Sequence, residues 1–86
     1  MLIKQFLGVR YILATSAQIR AARALLGWKQ TDLAEHSGIS VPSIKNVERG
    51  ATDPRMSTIE AIQRAFEMAG VEFSEHGVKA KAATHE

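Results

Sequence analysis

Residues 30–50 read QTDLAEHSGISVPSIKNVERG and carry the strongest structural signal in the chain. Apolar or small side chains recur at helical spacing on both sides of a central glycine; they are Leu33, Ala34, Ile39, Ile44 and Val47. Gly38 stands where a first helix must end, and Ser40 stands where a second must begin. We therefore predict a helix over residues 30–37, a tight turn, and a second helix over residues 40–49.

The second of these helices has clear start and stop signals. Ser40 is the predicted N-cap, and Pro42 is tolerated because it falls in the first turn. Gly50 follows the last helical residue, where glycine commonly ends a helix. In the preceding helix, Asp32 lies in the first turn and favours the positive helix end.

A further helix is predicted upstream, starting at Thr15. Thr15 and Gln18 have the spacing of a capping box, in which the two side chains satisfy free amide protons at the helix start. Gly27 ends this helix. Four apolar residues recur at helical spacing and are expected to face the core: Ile19, Ala22, Leu25 and Leu26.

Downstream, residues 51–56 are predicted to form a loop, because Asp53-Pro54 disfavours helix. Ser57 and Glu60 form a second potential capping box, which predicts a fourth helix through about Ala69. Gly70 would terminate it. The predicted buried stripe of this helix consists of Ile59, Ile62, Ala65 and Phe66.

The carboxy-terminal residues change in character and predict a short β-hairpin. Residues 71–73 and 78–80 can form strands, and residues 74–77 can form the turn. A lone two-stranded hairpin is marginal in water, so pairing with the same strand of a second subunit would stabilise it. We treat residues 71–86 as a hairpin and tail with a possible role in dimerisation.

Composition restricts the possibilities further. The chain has 86 residues, a formal net charge of +2 and no cysteine, so neither disulfides nor thiolate metal sites can stabilise it. The length indicates one small domain near the lower limit for a self-sufficient core. Oligomerisation is a common way for so short a chain to bury more apolar surface.

Residues 1–14 form an amino-terminal extension. The stretch MLIKQFLGVRYIL is apolar but is interrupted by Lys4, Gln5 and Arg10. It lacks the roughly 18 consecutive apolar residues of a membrane span, and Arg10 falls inside the would-be core of a signal peptide. We expect an extra strand or helix that packs on the domain or on a partner, or an ill-ordered leader.

Residues 15–69 resemble the phage repressor/Cro-type helix-turn-helix family, the xenobiotic-response-element (XRE) type of regulator. Three pieces carry the resemblance: ARALLGWKQTDLAEHSGIS from Ala22, SIKNVERG from Ser43, and the Asp53-Pro54-Arg55 loop. The resemblance implies an all-α, lambda-repressor-like bundle of four to five helices, with residues 15–70 as a DNA-binding domain. The second helix of the motif would lie in the major groove.

The resemblance also implies the roles of individual residues. Base edges would be read by Val41, Pro42, Lys45 and Asn46. The DNA backbone would be contacted by Gln30, Lys29, Ser40, Ser43, Arg49 and Arg55. Lys29 replaces a common capping serine, which weakens the cap but lets lysine reach a phosphate. Arg23 and Glu48 match a pair that joins the first and third helices as a structural ion pair.

Side-chain chemistry indicates what such a helix could read. Asn46 can form a bidentate pair with adenine, and Lys45 can bond guanine O6 and N7. Val41 and the Pro42 ring can pack on a thymine methyl group. One good bidentate contact gives about 1–3 kcal/mol of discrimination, so a dimer on two half-sites about 34 Å apart is expected.

The prediction is therefore a sequence-specific DNA-binding transcriptional regulator, most simply a repressor, that works as a homodimer on operator DNA. It would act in the cytoplasm, associated with the nucleoid when bound to DNA. Two alternatives stay open. One is an antitoxin-like protein whose tail binds a toxin or another regulatory partner. The other is a protein-interaction adaptor that has lost its DNA contacts.

The remaining notable residues have ordinary interpretations. Trp28 is expected to be a packing anchor, and Met56 and Met68 are expected to fill gaps in the core. The histidines His36, His76 and His85 are too scattered for a metal site, and no cysteine supports one. No nucleophilic constellation or glycine-rich phosphate loop occurs, so we expect no enzyme activity and no cofactor.

Overall fold

The computed structural model describes residues 13–50 and 53–80. These residues form four helices and a two-stranded hairpin: α1 (Ser16–Leu26), α2 (Gln30–Ser37), α3 (Val41–Arg49), α4 (Met56–Met68), β1 (Val71–Ser74) and β2 (Gly77–Ala80). The predicted helical bundle with a carboxy-terminal hairpin is confirmed. Predictions about residues 1–12, about residues 51–52 and about the tail from residue 81, His85 included, lie outside the described residues.

Local signals set both ends of α1. The Thr15 hydroxyl accepts the Gln18 amide proton, and the Gln18 side chain accepts the Thr15 amide proton, which completes the predicted capping box. Gly27 follows the helix in the left-handed conformation, with φ of 67°. Its amide bonds carbonyls of the last turn, so the helix ends at Leu26 as its sequence predicts.

The motif of α2 and α3 forms with the predicted bounds. Gly38 adopts a left-handed φ of 76° at the end of α2, which only glycine takes at little cost. The Ser40 hydroxyl then caps α3 by accepting the Ser43 amide proton. Pro42 lies within the first turn of α3, where its missing N–H leaves no helical bond unmade.

The core lies where all four helices and the hairpin meet. Its largest fully buried apolar side chains are Phe66, Ile19, Leu33, Ile44, Ile62 and Val71. Trp28 is half-buried and stacks on Phe66, with ring centroids 5.5 Å apart, and on His36 at 4.3 Å. The predicted packing role of Trp28 therefore agrees with its position against the core.

Three residues expected in the core are exposed instead. Leu25 is 47% exposed because it lies about a quarter turn from the stripe of Ile19 and Ala22. Met56 and Met68 are the first and last residues of α4 and are 63% and 84% exposed. The prediction that these methionines fill core gaps was wrong, because residues at the ends of a helix can extend past the neighbouring elements.

The prediction of a capping box at the start of α4 is also wrong. The helix begins at Met56 with Arg55 as its N-cap, so Ser57 lies inside the first turn. The Arg55 carbonyl already accepts the amide protons of Thr58 and Ile59, which commits the backbone to helix before Ser57 could cap it. The helix ends at Met68, one residue before the predicted Ala69.

Gln63 is a buried polar residue that hydrophobic periodicity does not reveal. Its side chain is 2% exposed, and its Oε1 accepts the Ala14 amide proton at 2.8 Å. The Gln63 amide group also donates to Glu67 at 3.2 Å. Among the described residues, every buried side-chain nitrogen or oxygen has a hydrogen-bond partner, as a stable interior requires.

The hairpin packs one face on the helices and pairs in antiparallel register. Phe73 faces Val78 across the strands, and the Phe73 ring lies 6.0 Å from that of Phe66. On the opposite face, Lys79 pairs with Glu72 at 3.7 Å. The side-chain amide of Gln18 donates to the carbonyls of Ser74 and Gly77 at the hairpin turn and so links α1 to the hairpin.

No helix in residues 13–50 or 53–80 is long and apolar enough to cross a membrane. Within the same residues, no group of three or more histidine or acidic side chains could hold a metal ion.

Candidate nucleic-acid interface

Helix α3 exposes a polar flank to solvent and buries its apolar flank in the core. Lys45, Asn46 and Arg49 are exposed, as is Pro42 near the start of the helix. Val41 is half-buried. Ile44 and Val47 on the opposite flank are buried in the core. Four of the residues predicted to contact DNA from α3 are thus accessible side by side on one face.

An ion pair fixes the buried flank of α3 to α1. Arg23 Nε lies 2.6 Å from Glu48 Oε2, and Arg23 Nη2 lies 3.0 Å from Glu48 Oε1. Glu48 is 6% exposed and Arg23 is 23% exposed. A bidentate pair of a guanidinium and a carboxylate fixes orientation as well as distance. The pair therefore holds α3 at a defined angle to α1.

Gln30 joins the same carboxylate from α2. Its Nε2 donates to Glu48 Oε1 at 2.9 Å, so Glu48 accepts hydrogen bonds from two neighbouring helices. A primary amide has two N–H donors, and this bond uses one of them. Glu48 therefore sets the orientation of the Gln30 side chain, which was predicted to contact the DNA backbone.

Side chains of α1 also bind the carboxy-terminal carbonyls of α3. Ser16 Oγ donates to the Val47 carbonyl at 2.6 Å, and Arg20 Nη1 donates to the Glu48 carbonyl. These carbonyls lie at the negative end of the helix, where a guanidinium is favourable. Sequence reasoning missed both contacts. The only signal is that Ser16, Arg20 and Arg23 share one face of α1, at spacings of four and three residues.

Two of the predicted DNA-contacting residues on α3 bond each other. Arg49 Nη2 donates to Asn46 Oδ1 at 2.5 Å, one helical turn away on the exposed face. The bond occupies part of the acceptor capacity of the Asn46 amide oxygen, which adenine recognition would use. The amide oxygen of Asn46, which is predicted to accept from adenine, therefore already accepts one hydrogen bond in this structure.

Further predicted backbone contacts lie at the start of α3 and just before α4. Ser40 Oγ donates to Ser43 Oγ at 3.1 Å near the start of α3, beside exposed Pro42. Arg55 is exposed and borders a surface notch that Ser43 and Asn46 also line. Thr58 lines the same notch and was not singled out from the sequence.

Lys29 stands at the N-cap of α2, and its ammonium group has no acceptor with which to cap a helix. The Asp32 carboxylate instead accepts the Lys29 amide proton at 2.8 Å. Half of a capping box is therefore present, and the exposed Lys29 side chain is left for other contacts. The predicted weakening of this cap agrees with the contacts observed.

Cationic and donor groups dominate the surface built from these residues. Lys29, Lys45, Arg49 and Arg55 are all exposed, whereas the carboxylate of Glu48 is buried and paired. Such a surface suits a polyanion with hydrogen-bond acceptors on its edges.

Comparison with known proteins identifies relatives of this domain. A family model described as helix-turn-helix matches residues 19–73. Three curated relatives, all named uncharacterized HTH-type transcriptional regulators, come from Mycobacterium bovis and from two strains of Mycobacterium tuberculosis. Each is 36% identical over 53 residues, which is 62% of this chain. The chain spans 21% of the length of these relatives.

Proposed function

Since this chain belongs to the helix-turn-helix family, we propose that it binds double-stranded DNA in a sequence-specific manner and regulates transcription. Helix α3 would lie in the major groove with Lys45 and Asn46 against base edges. The main support is that α3 buries Ile44 and Val47 while its opposite flank stays exposed.

The backbone contacts would come from residues around this flank. The amino end of α2 carries Gln30 and Lys29, and the positive end of a helix favours phosphate. Ser40 and Ser43 lie at the start of α3, and Arg49 at its end. Arg55 borders the notch beside Asn46 and would approach a neighbouring phosphate. Val41 and Pro42 would contact thymine methyl groups.

The regulator would act as a repressor by occupying DNA that RNA polymerase needs. A single copy of α3 offers few base contacts, so one half-site would be read weakly. A homodimer that reads two half-sites about 34 Å apart would combine the binding free energies of both half-sites. We propose that the hairpin contributes to this dimer, because its strands are short and a two-stranded sheet gains from further pairing.

We predict that Asn46→Ala lowers affinity for a selected operator about tenfold, because one base contact is typically worth about 1–3 kcal/mol. Affinity for random DNA should change much less, because that binding depends on phosphate contacts. Fluorescence anisotropy with both duplexes measures the two effects. An equal loss on both duplexes would show that Asn46 does not read a base.

Salt titration of the same complexes provides the control for DNA binding itself. The affinity of the unchanged protein should fall steeply between 50 and 200 mM salt, as release of counterions from DNA requires (about one released per contacted phosphate). A flat salt profile would argue for the adaptor alternative, in which the family fold serves only protein contacts.

The dimer makes a separate prediction. Sedimentation equilibrium at micromolar concentration is expected to give about twice the 9.4 kDa mass of one chain. Truncating the hairpin is a poor test, because Val71 is part of the core and its loss would also destabilise the fold. A monomer in solution that also binds a selected operator with one protein per duplex would refute the dimer.

A further inference from the structure

We infer that Arg49 is a specificity-determining residue that makes Asn46 select guanine over adenine. The inference rests on the proposed function, since it concerns the base that the exposed flank of α3 meets. It differs from the expectation for Asn46 alone, for which adenine is the usual partner.

The hydrogen bond between the two side chains fixes the orientation of the Asn46 amide. Arg49 Nη2 donates to Asn46 Oδ1 at 2.5 Å. If the amide rotated by half a turn, its NH2 group would face the guanidinium, and two donors would oppose each other. The oxygen is therefore held toward Arg49, and Asn46 Nδ2 is left as the group available to a base.

The flank around Asn46 then offers mainly donors. Arg49 keeps four N–H donors after this bond, since a guanidinium has five. Lys45, the preceding residue, has an ammonium group with three donors and no acceptor. An array of donors matches the edge of a base that presents only acceptors.

Guanine and adenine differ in this respect. In the major groove guanine presents N7 and O6, which are both acceptors, whereas adenine presents N7 and the N6 amino donor. Adenine recognition needs Asn46 Oδ1 to accept from N6, and here a cation already takes one of the two acceptor sites of that oxygen. The N6 amino group would also lie close to cationic donors. Guanine fits the arrangement and adenine opposes it.

The surrounding charges do not compete for Arg49. The acidic residue of α3, Glu48, has a carboxylate that is 6% exposed and is bound by Arg23 and Gln30. Asn46 is thus the acceptor that the structure provides for Arg49 on the exposed face. The same spacing of three residues would place the two side chains together on any straight helix.

The test starts with selection of duplexes from random DNA by the unchanged protein. Each base pair of the selected half-site is then changed singly, and dissociation constants are measured for the G·C and A·T versions. At one position of the half-site, Asn46→Ala should bind the G·C and A·T versions equally. At that position the unchanged protein should favour guanine about tenfold. In Arg49→Ala the amide can rotate, so this preference should fall at least fivefold or reverse toward adenine.

Arg64→Ala is the matched control. Arg64 is an exposed arginine on α4, so its replacement removes the same charge without touching α3. It should weaken both duplexes equally and keep the guanine preference. Circular dichroism of Arg49→Ala should match that of the unchanged protein, because the side chain is exposed.

Each outcome decides the inference. A selected adenine at the Asn46 position, or a guanine preference that Arg49→Ala leaves intact, overturns it while the proposed function stands. Selection that yields no preferred sequence overturns both. A guanine preference that is lost in Arg49→Ala and kept in Arg64→Ala supports both.

Discussion

Phe66→Ala is expected to lower the free energy of unfolding by about 3–5 kcal/mol, the cost of removing a large buried aromatic side chain. Phe66 is fully buried, and its ring lies 5.5 Å from that of Trp28 and 6.0 Å from that of Phe73. The cavity would therefore loosen the contact between the helices and the hairpin together. Small domains have about 5–15 kcal/mol in total, so the variant should be close to unfolded at 37 °C.

Urea denaturation followed by circular dichroism measures this loss. Met68→Ala is the matched control on the same helix, because Met68 is 84% exposed and its replacement should change stability by less than about 0.5 kcal/mol. Similar stabilities for the two variants would contradict the position of Phe66 at the centre of the core.

Arg23→Ala is expected to lower the free energy of unfolding by about 3 kcal/mol, within the range for breaking a buried ion pair. The cost arises because Glu48 would keep a carboxylate that is 6% exposed, with Gln30 as its remaining side-chain donor. Affinity for DNA should fall as well, since α3 would lose the contact that fixes its angle to α1.

Two further variants separate this cost from general effects of charge. Lys79→Ala breaks the exposed pair with Glu72 and should cost less than about 1 kcal/mol. Replacing Arg23 by Met and Glu48 by Leu together removes both buried charges and should recover most of the lost stability. Denaturation of all three variants in the same buffer makes the comparison. If Arg23→Ala and Lys79→Ala cost the same, the Glu48 carboxylate is not desolvated in the folded protein.

The helix boundaries of the motif could be read from the sequence because short-range chemistry sets them. Gly27, Gly38 and Gly50 each take a left-handed φ at the end of a helix. Thr15 and Ser40 cap the helices that follow them. Each signal involves residues within one turn of the chain, so it does not depend on how the helices pack.

The errors came where local patterns competed. Ser57 and Glu60 have capping-box spacing, but the Arg55 carbonyl accepts two amide protons and starts the helix earlier. Leu25 fits a helical spacing but not the narrow stripe that packing selects, and it is 47% exposed. Local backbone bonds decided the start of α4, and packing between elements decided the exposure of Leu25.

The candidate site likewise has some features that the sequence predicts and others that it does not. Its exposed residues on α3 follow from helical periodicity and the resemblance, because both concern the order of residues in one segment. The contacts of Glu48 with Gln30 and of Ser16 with the Val47 carbonyl join residues 18 and 31 positions apart. Such pairings depend on the angle between helices, which only the folded structure defines.

Three side chains of α1 bond α3 on its buried side or at its carboxyl end, namely those of Ser16, Arg20 and Arg23. The exposed side chains of Pro42 and Lys45 take no part in this anchorage. We therefore expect that the DNA sequence recognised by the domain can be changed by replacing a few outward side chains of α3. A library randomised at those positions would keep the bonds that hold α3 against α1. An evolving lineage could change its binding sequence in the same way without rebuilding its fold.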